Sequence, residues 1–188
     1  HPDDEGWSGI SLPWMAFGYG VSMTPLQTLT FYNAVANNGE MVKPSFISSI
    51  GAFGEDPVYT INREVIMPSI CSNETLISVQ KMLNNVVSKP WGTANNIYDK
   101  NIRIAGKTGT SQIDYTSDET QYVSSFVGYF PADNPKYSAI VVINKPNKSK
   151  GFYGGLVAAP VFKKVAQKII TGIPIEIEIS KKDIDILF

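Results

Sequence analysis

A cation, a hydroxyl and a glycine stand in a row at Lys107-Thr108-Gly109, inside the run 102–112 (IRIAGKTGTSQ). Lysine and threonine side by side can hold a terminal carboxylate, the first through its ammonium and the second through a donated O–H. Such a pair needs a frame that keeps both groups still while an extended ligand lies alongside. Ile102, Ile104 and Ala105 form an apolar approach rich in β-branched residues, and Thr108, Gly109 and Thr110 follow without a helix signal. This predicts a strand over about 103–112. At a sheet edge such a strand offers its backbone to an extended peptide. Gly109 is expected to remove a side chain where a ligand comes close. The letters Gly106-Lys107-Thr108 could also end a phosphate-binding loop, but its first glycine would fall at Asn101, and the residues after Gly109 are turn-rich rather than helix-forming. The phosphate-loop reading is rejected.

The rest of the composition narrows the chemistry. The chain has 188 residues, a net charge of −1, 43% hydrophobic and 18% charged residues. That is an ordinary globular composition with enough apolar residues for a core. Its near-neutral charge gives no electrostatic case for nucleic acid. The single cysteine, Cys71, cannot form an internal disulfide and reads as a small buried hydrophobe. The single histidine is His1, which leaves a catalytic cysteine or a Ser-His-Asp triad without its base. No His, Cys and carboxylate residues have metal-ligand spacing, so zinc chemistry is not expected. No apolar run approaches the length of a membrane span and no signal peptide opens the chain. The start His1-Pro2-Asp3-Asp4, without Met, leads to the expectation of a fragment whose targeting segment lies outside it.

Several elements must position the strand. Residues 1–20, rich in Gly, Trp, Pro and Ser, read as an irregular but packed segment, with Trp7, Trp14 and later Trp91 as packing residues. Thr24-Pro25-Leu26-Gln27 predicts a helix start with a capping box, and Asn38-Gly39 a left-handed stop. Short strands are expected near 41–44, 46–50 and 58–61. A second helix is expected after Ser72, ending at Lys89-Pro90, with Leu76, Val79, Met82, Leu83 and Val86 on its apolar face. A loop around Gly92-Thr93-Ala94 follows. Strands are predicted at about 103–112, 121–130 and 136–144, with a proline-flanked turn at 130–135. A third helix over 154–171 should be kinked or delayed by Pro160. Residues 174–179 alternate Ile and Glu like a half-exposed strand. Strands in hairpin order with helices before and after them predict an α+β fold, an antiparallel sheet with packed helices.

These segments carry a wider resemblance. Residues 17–27 (FGYGVSMTPLQ), Val35-Ala36-Asn37-Asn38-Gly39, 104–112 (IAGKTGTSQ), 125–132 (SFVGYFPA) and 153–162 (YGGLVAAPVF) resemble, in order, the class B penicillin-binding proteins, the division type more than the elongation type. The match spans nearly 14–172. It implies a partial penicillin-binding, serine β-lactamase-like transpeptidase domain. Residues 1–172 are expected to form its C-terminal part, and 173–188 a tail or the start of a following module.

The departure is as informative. The family acylates the serine of an S-x-x-K motif and carries S-x-N across the cleft, and the chain has no S-x-N. Its one S-x-x-K, Ser78-Val79-Gln80-Lys81, falls on the solvated side of the second helix, after the wrong neighbours in family order. The nucleophile is therefore expected outside this chain. The resemblance assigns Lys107 to the electrostatics of the cleft and Thr108 to the substrate's terminal carboxylate. The Thr110 backbone N–H becomes one of two oxyanion-hole donors. Phe152 and Tyr153 read either as an aromatic wall beside the cleft or as plain packing, and Lys145, Lys148 and Lys150 as solvated charges. The implied parent is a D,D-transpeptidase anchored upstream and facing the periplasm. Its ligands would be peptidoglycan stem peptides and β-lactam antibiotics, and its partners divisome proteins. A serine β-lactamase, a D,D-carboxypeptidase and a non-catalytic recognition fragment remain as alternatives.

Overall fold

The computed structural model describes residues 3–18, 20–52, 54, 56–113 and 120–172. Its elements are α1 (Ser11–Ala16), α2 (Pro25–Ala36), β1 (Met41–Val42), β2 (Ser49–Ile50), β3 (Tyr59–Thr60), β4 (Val65–Met67), α3 (Asn73–Ser88), β5 (Ala105–Ile113), β6 (Gln121–Phe130), β7 (Tyr137–Asn144), α4 (Gly154–Val157) and α5 (Ala159–Thr171). Strands β5, β6 and β7 form an antiparallel sheet in that order, which places β5 at one edge among the described residues. The fold is the expected α+β arrangement.

Alternation along the strands gives the sheet two buried faces. On one, Ala105 and Tyr129 pack with Val35 of α2 and Leu76 and Leu83 of α3. On the other, Ile104, Phe126 and Phe130 pack with Ala159, Phe162 and Ala166 of α5. Phe162 meets Phe126 edge-on at 4.9 Å between ring centroids and Phe130 at 5.7 Å. Full burial of a ring that size stabilises by about 2–3 kcal/mol. Burial also pushes the Tyr129 hydroxyl up to about 12, so it stays neutral.

The helix ends follow their capping chemistry. The Thr24 hydroxyl accepts from the Gln27 N–H at 3.2 Å and the Gln27 side chain accepts from the Thr24 N–H at 2.8 Å. Asn38 and Gly39, at φ 52° and 87°, turn the chain out of α2. The Ser72 hydroxyl caps α3 through the Thr75 N–H. The Gln80 side chain of α3 donates to the Val35 carbonyl of α2 at 2.8 Å.

Several expectations need correction. The opening segment is not packed: it forms α1, none of whose residues is buried, and Trp14 is half exposed. Local hydrogen bonds such as Trp14 N–H to the Ile10 carbonyl form the helix, and it contributes no residue to the buried core. Trp91 is 72% exposed, and it is Ala94, three residues on, that the loop buries. Met82 leaves the apolar face of α3, which is carried by Leu76, Leu83 and Val87. The early strands are shorter than expected, and β4, which the sequence reading passed over, pairs with β1. The third helix, by contrast, is interrupted as expected: it breaks at Ala158, and Pro160 stands in the first turn of α5, where its missing N–H costs nothing. The alternating 174–179 stretch lies outside the described residues.

Candidate active site

Strand β5 presents different chemistry on its two faces. Thr108 and Thr110 share one pleat with the Phe126 side, under α4 and the loop after α3, because their cross-strand partners are Phe126 and Ser124. They line a cavity of about 710 Å³ together with Thr93, Asn96, Tyr153 and Gly155. Lys107 takes the opposite pleat, exposed, and its ammonium donates to the Thr108 carbonyl at 2.8 Å. The lysine and threonine of the motif are thus neighbours in sequence on opposite faces, and they meet at the strand's backbone.

The cavity wall is tied together by side-chain to backbone bonds. The Thr110 hydroxyl accepts from the Gly154 N–H at 2.9 Å, and Asn96 Nδ2 donates to the Gly155 carbonyl at 2.9 Å. The hydroxyls of Thr93 and Thr108 lie 3.0 Å apart. The two glycines of α4 permit this closeness. A Cβ on Gly154 would come within 2.4 Å of the Gly109 carbonyl, and one on Gly155 within 2.1 Å of the Thr93 carbonyl.

Gly109 takes the same pleat as Lys107. Its Cβ position faces away from the cavity and would meet the Ser125 hydroxyl of β6 at 2.5 Å. A side chain there would have to displace that hydroxyl, so the pairing with β6 favours glycine at this position. The Phe152 and Tyr153 rings lie 4.4 Å apart but take different places. Tyr153 lines the cavity and is largely exposed. Phe152 stacks on Tyr122 at 4.1 Å, and its carbonyl accepts from the buried Ser124 hydroxyl. The Lys148 ammonium lies over the Tyr122 ring at 5.9 Å; Lys145 and Lys150 are exposed, as expected.

Ser78 is exposed on α3 and its hydroxyl donates to the Glu74 carbonyl at 2.9 Å. It lies on the outside of α3 and takes no part in the cavity. The described residues contain no group of three or more His, Cys, Asp or Glu able to hold a metal ion, and no helix long and apolar enough to cross a membrane. Thr93 and Asn96 were read only as loop. Neither residue type nor spacing marks them, since Thr93 meets a partner 15 positions away that only the fold brings near.

Comparison with known proteins supplies what geometry alone does not. Residues 2–167 match the family described as penicillin binding protein transpeptidase domain. The peptidoglycan D,D-transpeptidase FtsI of Buchnera aphidicola is 32% identical over 87% of this chain and 27% of its own length. The stage V sporulation protein D of Bacillus subtilis is 34% identical over 78% of the chain and 22% of its own length. The structure of penicillin-binding protein 3 from Mycobacterium tuberculosis complexed with ampicillin superposes with a TM-score of 0.73 at 30% identity, covering 92% of this chain and 40% of that one. The chain therefore spans about a quarter of the length of these curated relatives.

Proposed function

Because this chain belongs to the penicillin-binding protein transpeptidase family, we propose that it forms the KTG side of the active site of a serine D,D-transpeptidase that cross-links peptidoglycan, with a role in cell division. The division role rests on the name of the Buchnera relative, and the capacity to take β-lactams on the ampicillin complex. The observation that carries the reading is the open edge of β5, with Thr108 and Thr110 facing a cavity beside it.

In this reading the stem peptide's terminal carboxylate meets the Thr108 hydroxyl, with the Lys107 ammonium supplying positive charge at the strand's edge. On an antiparallel edge strand the backbone groups face outward at every second residue. The Thr108 carbonyl, which takes the Lys107 ammonium, marks that outward set. Thr110 shares its parity, so its N–H is directed to the open edge, where an oxyanion donor belongs. Such a preorganised donor contributes about 3 kcal/mol to acyl transfer. The serine nucleophile comes from the upstream part of the parent. Its oxygen adds to the penultimate D-alanine carbonyl, and the C–N bond breaks. The terminal D-alanine leaves as the amine with the serine's proton. A neighbouring stem's amine then attacks the acyl-serine ester, forms the amide and returns the proton to the serine. Tyr153 forms a wall of the cavity; Phe152 supports it from behind. No cofactor takes part. Divisome proteins are the parent's partners, and its catalytic domain faces the periplasm from an upstream membrane anchor. Residues 173–188 belong to a tail or a following module.

The test is covalent labelling by a fluorescent penicillin. The parent's complete transpeptidase domain should label, and this 188-residue chain alone should not. Failure of the complete domain to label sinks the assignment. Labelling of the isolated chain that disappears in Ser78→Ala sinks the placement of the nucleophile upstream.

A further inference from the structure

We infer that Thr93 is a positioning residue for the reaction, orienting the Thr108 hydroxyl so that its proton points at the ligand's carboxylate. The inference rests on the reading of Thr108 as the carboxylate contact. The two hydroxyl oxygens lie 3.0 Å apart and either could be the donor. Each hydroxyl has one proton to give. If Thr108 gives its proton to a carboxylate, the bond between the two threonines survives only with Thr93 as the donor. The Thr93 O–H then donates to Thr108 Oγ1, and the Thr108 O–H is left to donate into the cavity. Hydrogen bonds in such a chain polarise one another, so the outer donor is strengthened.

Thr93 can impose that direction because its loop is fixed from two sides, by α3 and by α4. The Ala94 N–H donates to the Val86 carbonyl at the end of α3, and Asn95 Nδ2 donates to the Val87 carbonyl at 2.9 Å. Gly92 lies so close to α3 that a Cβ there would be 2.2 Å from the Val86 carbonyl. On the far side Asn96 Nδ2 holds the Gly155 carbonyl. Ala94, the residue after Thr93, is fully buried. The loop thus anchors one hydroxyl against another in the wall of the cavity, from an element that sequence order separates from the KTG strand.

The experiment uses the parent's complete transpeptidase domain and measures second-order acylation by a penicillin and by its methyl ester, which lacks the carboxylate. Thr93→Val should slow acylation by the acid roughly fivefold, the size of one neutral hydrogen bond, and leave the ester unchanged. Thr93→Ser, which keeps the hydroxyl, should restore the acid. In a Thr108→Val background, Thr93→Val should have no further effect, since the hydroxyl it orients is gone. Wild-type acylation by Thr93→Val overturns the inference, as does an equal loss on acid and ester or an additive loss in the double variant. A silent Thr108→Val overturns the carboxylate reading instead, so the two failures are told apart.

Discussion

Strand β6 and the short ribbon of β2 and β3 are both antiparallel and both rich in aromatic and β-branched residues. Yet Phe126, Tyr129 and Phe130 of β6 are buried, while Tyr59 in β3 is 60% exposed and the flanking Phe46 and Val58 are 88% and 86% exposed. The difference lies in what covers them. The three-stranded sheet has α2 and α3 over one face and α5 over the other. The two-stranded ribbon has no buried residue in either strand, and a bare two-stranded hairpin is marginal in water. β-propensity is thus a statement about fitting a half-buried surface, and it stabilises only where this chain supplies that surface.

The largest expected effect separates these two regions. Phe162→Ala removes the ring held between Phe126 and Phe130 and should cost about 3–5 kcal/mol, enough to unfold a marginal domain. Phe46→Ala should change stability by less than about 0.5 kcal/mol. Chemical denaturation of both variants measures the contrast, and equal losses would break it.

The same contrast explains what the sequence allowed. Thr24, Gln27, Asn38 and Gly39 marked α2 because caps are local chemistry, satisfied within a few residues. The three long strands and the hairpin order were legible because their hydrophobic runs are satisfied inside the chain. The packing of Trp14, Trp91 and Met82 was misjudged because an apolar residue says that it prefers cover, without saying where cover is. In the site, the motif letters located β5, but pleat alternation set Lys107 and Thr108 on opposite faces, and only the fold brought Thr93 to Thr108. The contact that a Cβ on Gly109 would make with Ser125 on the neighbouring strand is likewise one that the local sequence does not display.

Within the sheet, packing and chemistry should separate cleanly. Thr108→Val in the parent's complete domain keeps size and β-branching but deletes a hydrogen bond to a charged carboxylate, worth about 1.5–3 kcal/mol. Acylation should fall roughly ten- to a hundredfold, with the melting temperature little changed. Wild-type acylation at an unchanged melt would leave Thr108 a strand residue only. Lys107→Ala should cost at least as much, since it also removes the cation at the strand's edge. A smaller effect tests the capping that starts α2: Thr24→Ala should destabilise by about 1 kcal/mol, and Thr24→Ser should recover most of it in the same melts.

The smallest effect concerns how the sheet's outer layer is fastened, and it depends on pH. Asp99, in the loop before β5, accepts from the Asn101 N–H at 2.9 Å and faces the Lys163 ammonium of α5 at 3.3 Å. The Asn101 N–H first, and the Lys163 ammonium after it, hold the Asp99 carboxyl below its usual 3.8, against a partial upward push from burial. A carboxyl whose folded pKa is depressed adds stability that is fully present above the unfolded value and is lost as pH falls through the folded one. Asp99→Asn keeps an acceptor for the Asn101 N–H and removes the charge that Lys163 faces. The variant should therefore melt slightly below wild type at pH 7, and the gap should close as pH falls below about 4. Raising the salt concentration at pH 7 should narrow the gap as well, because the pair is only partly shielded from solvent. A gap that stays constant from pH 7 to pH 3 would assign the loss to altered packing of the loop and remove the carboxylate from the account of how α5 is held.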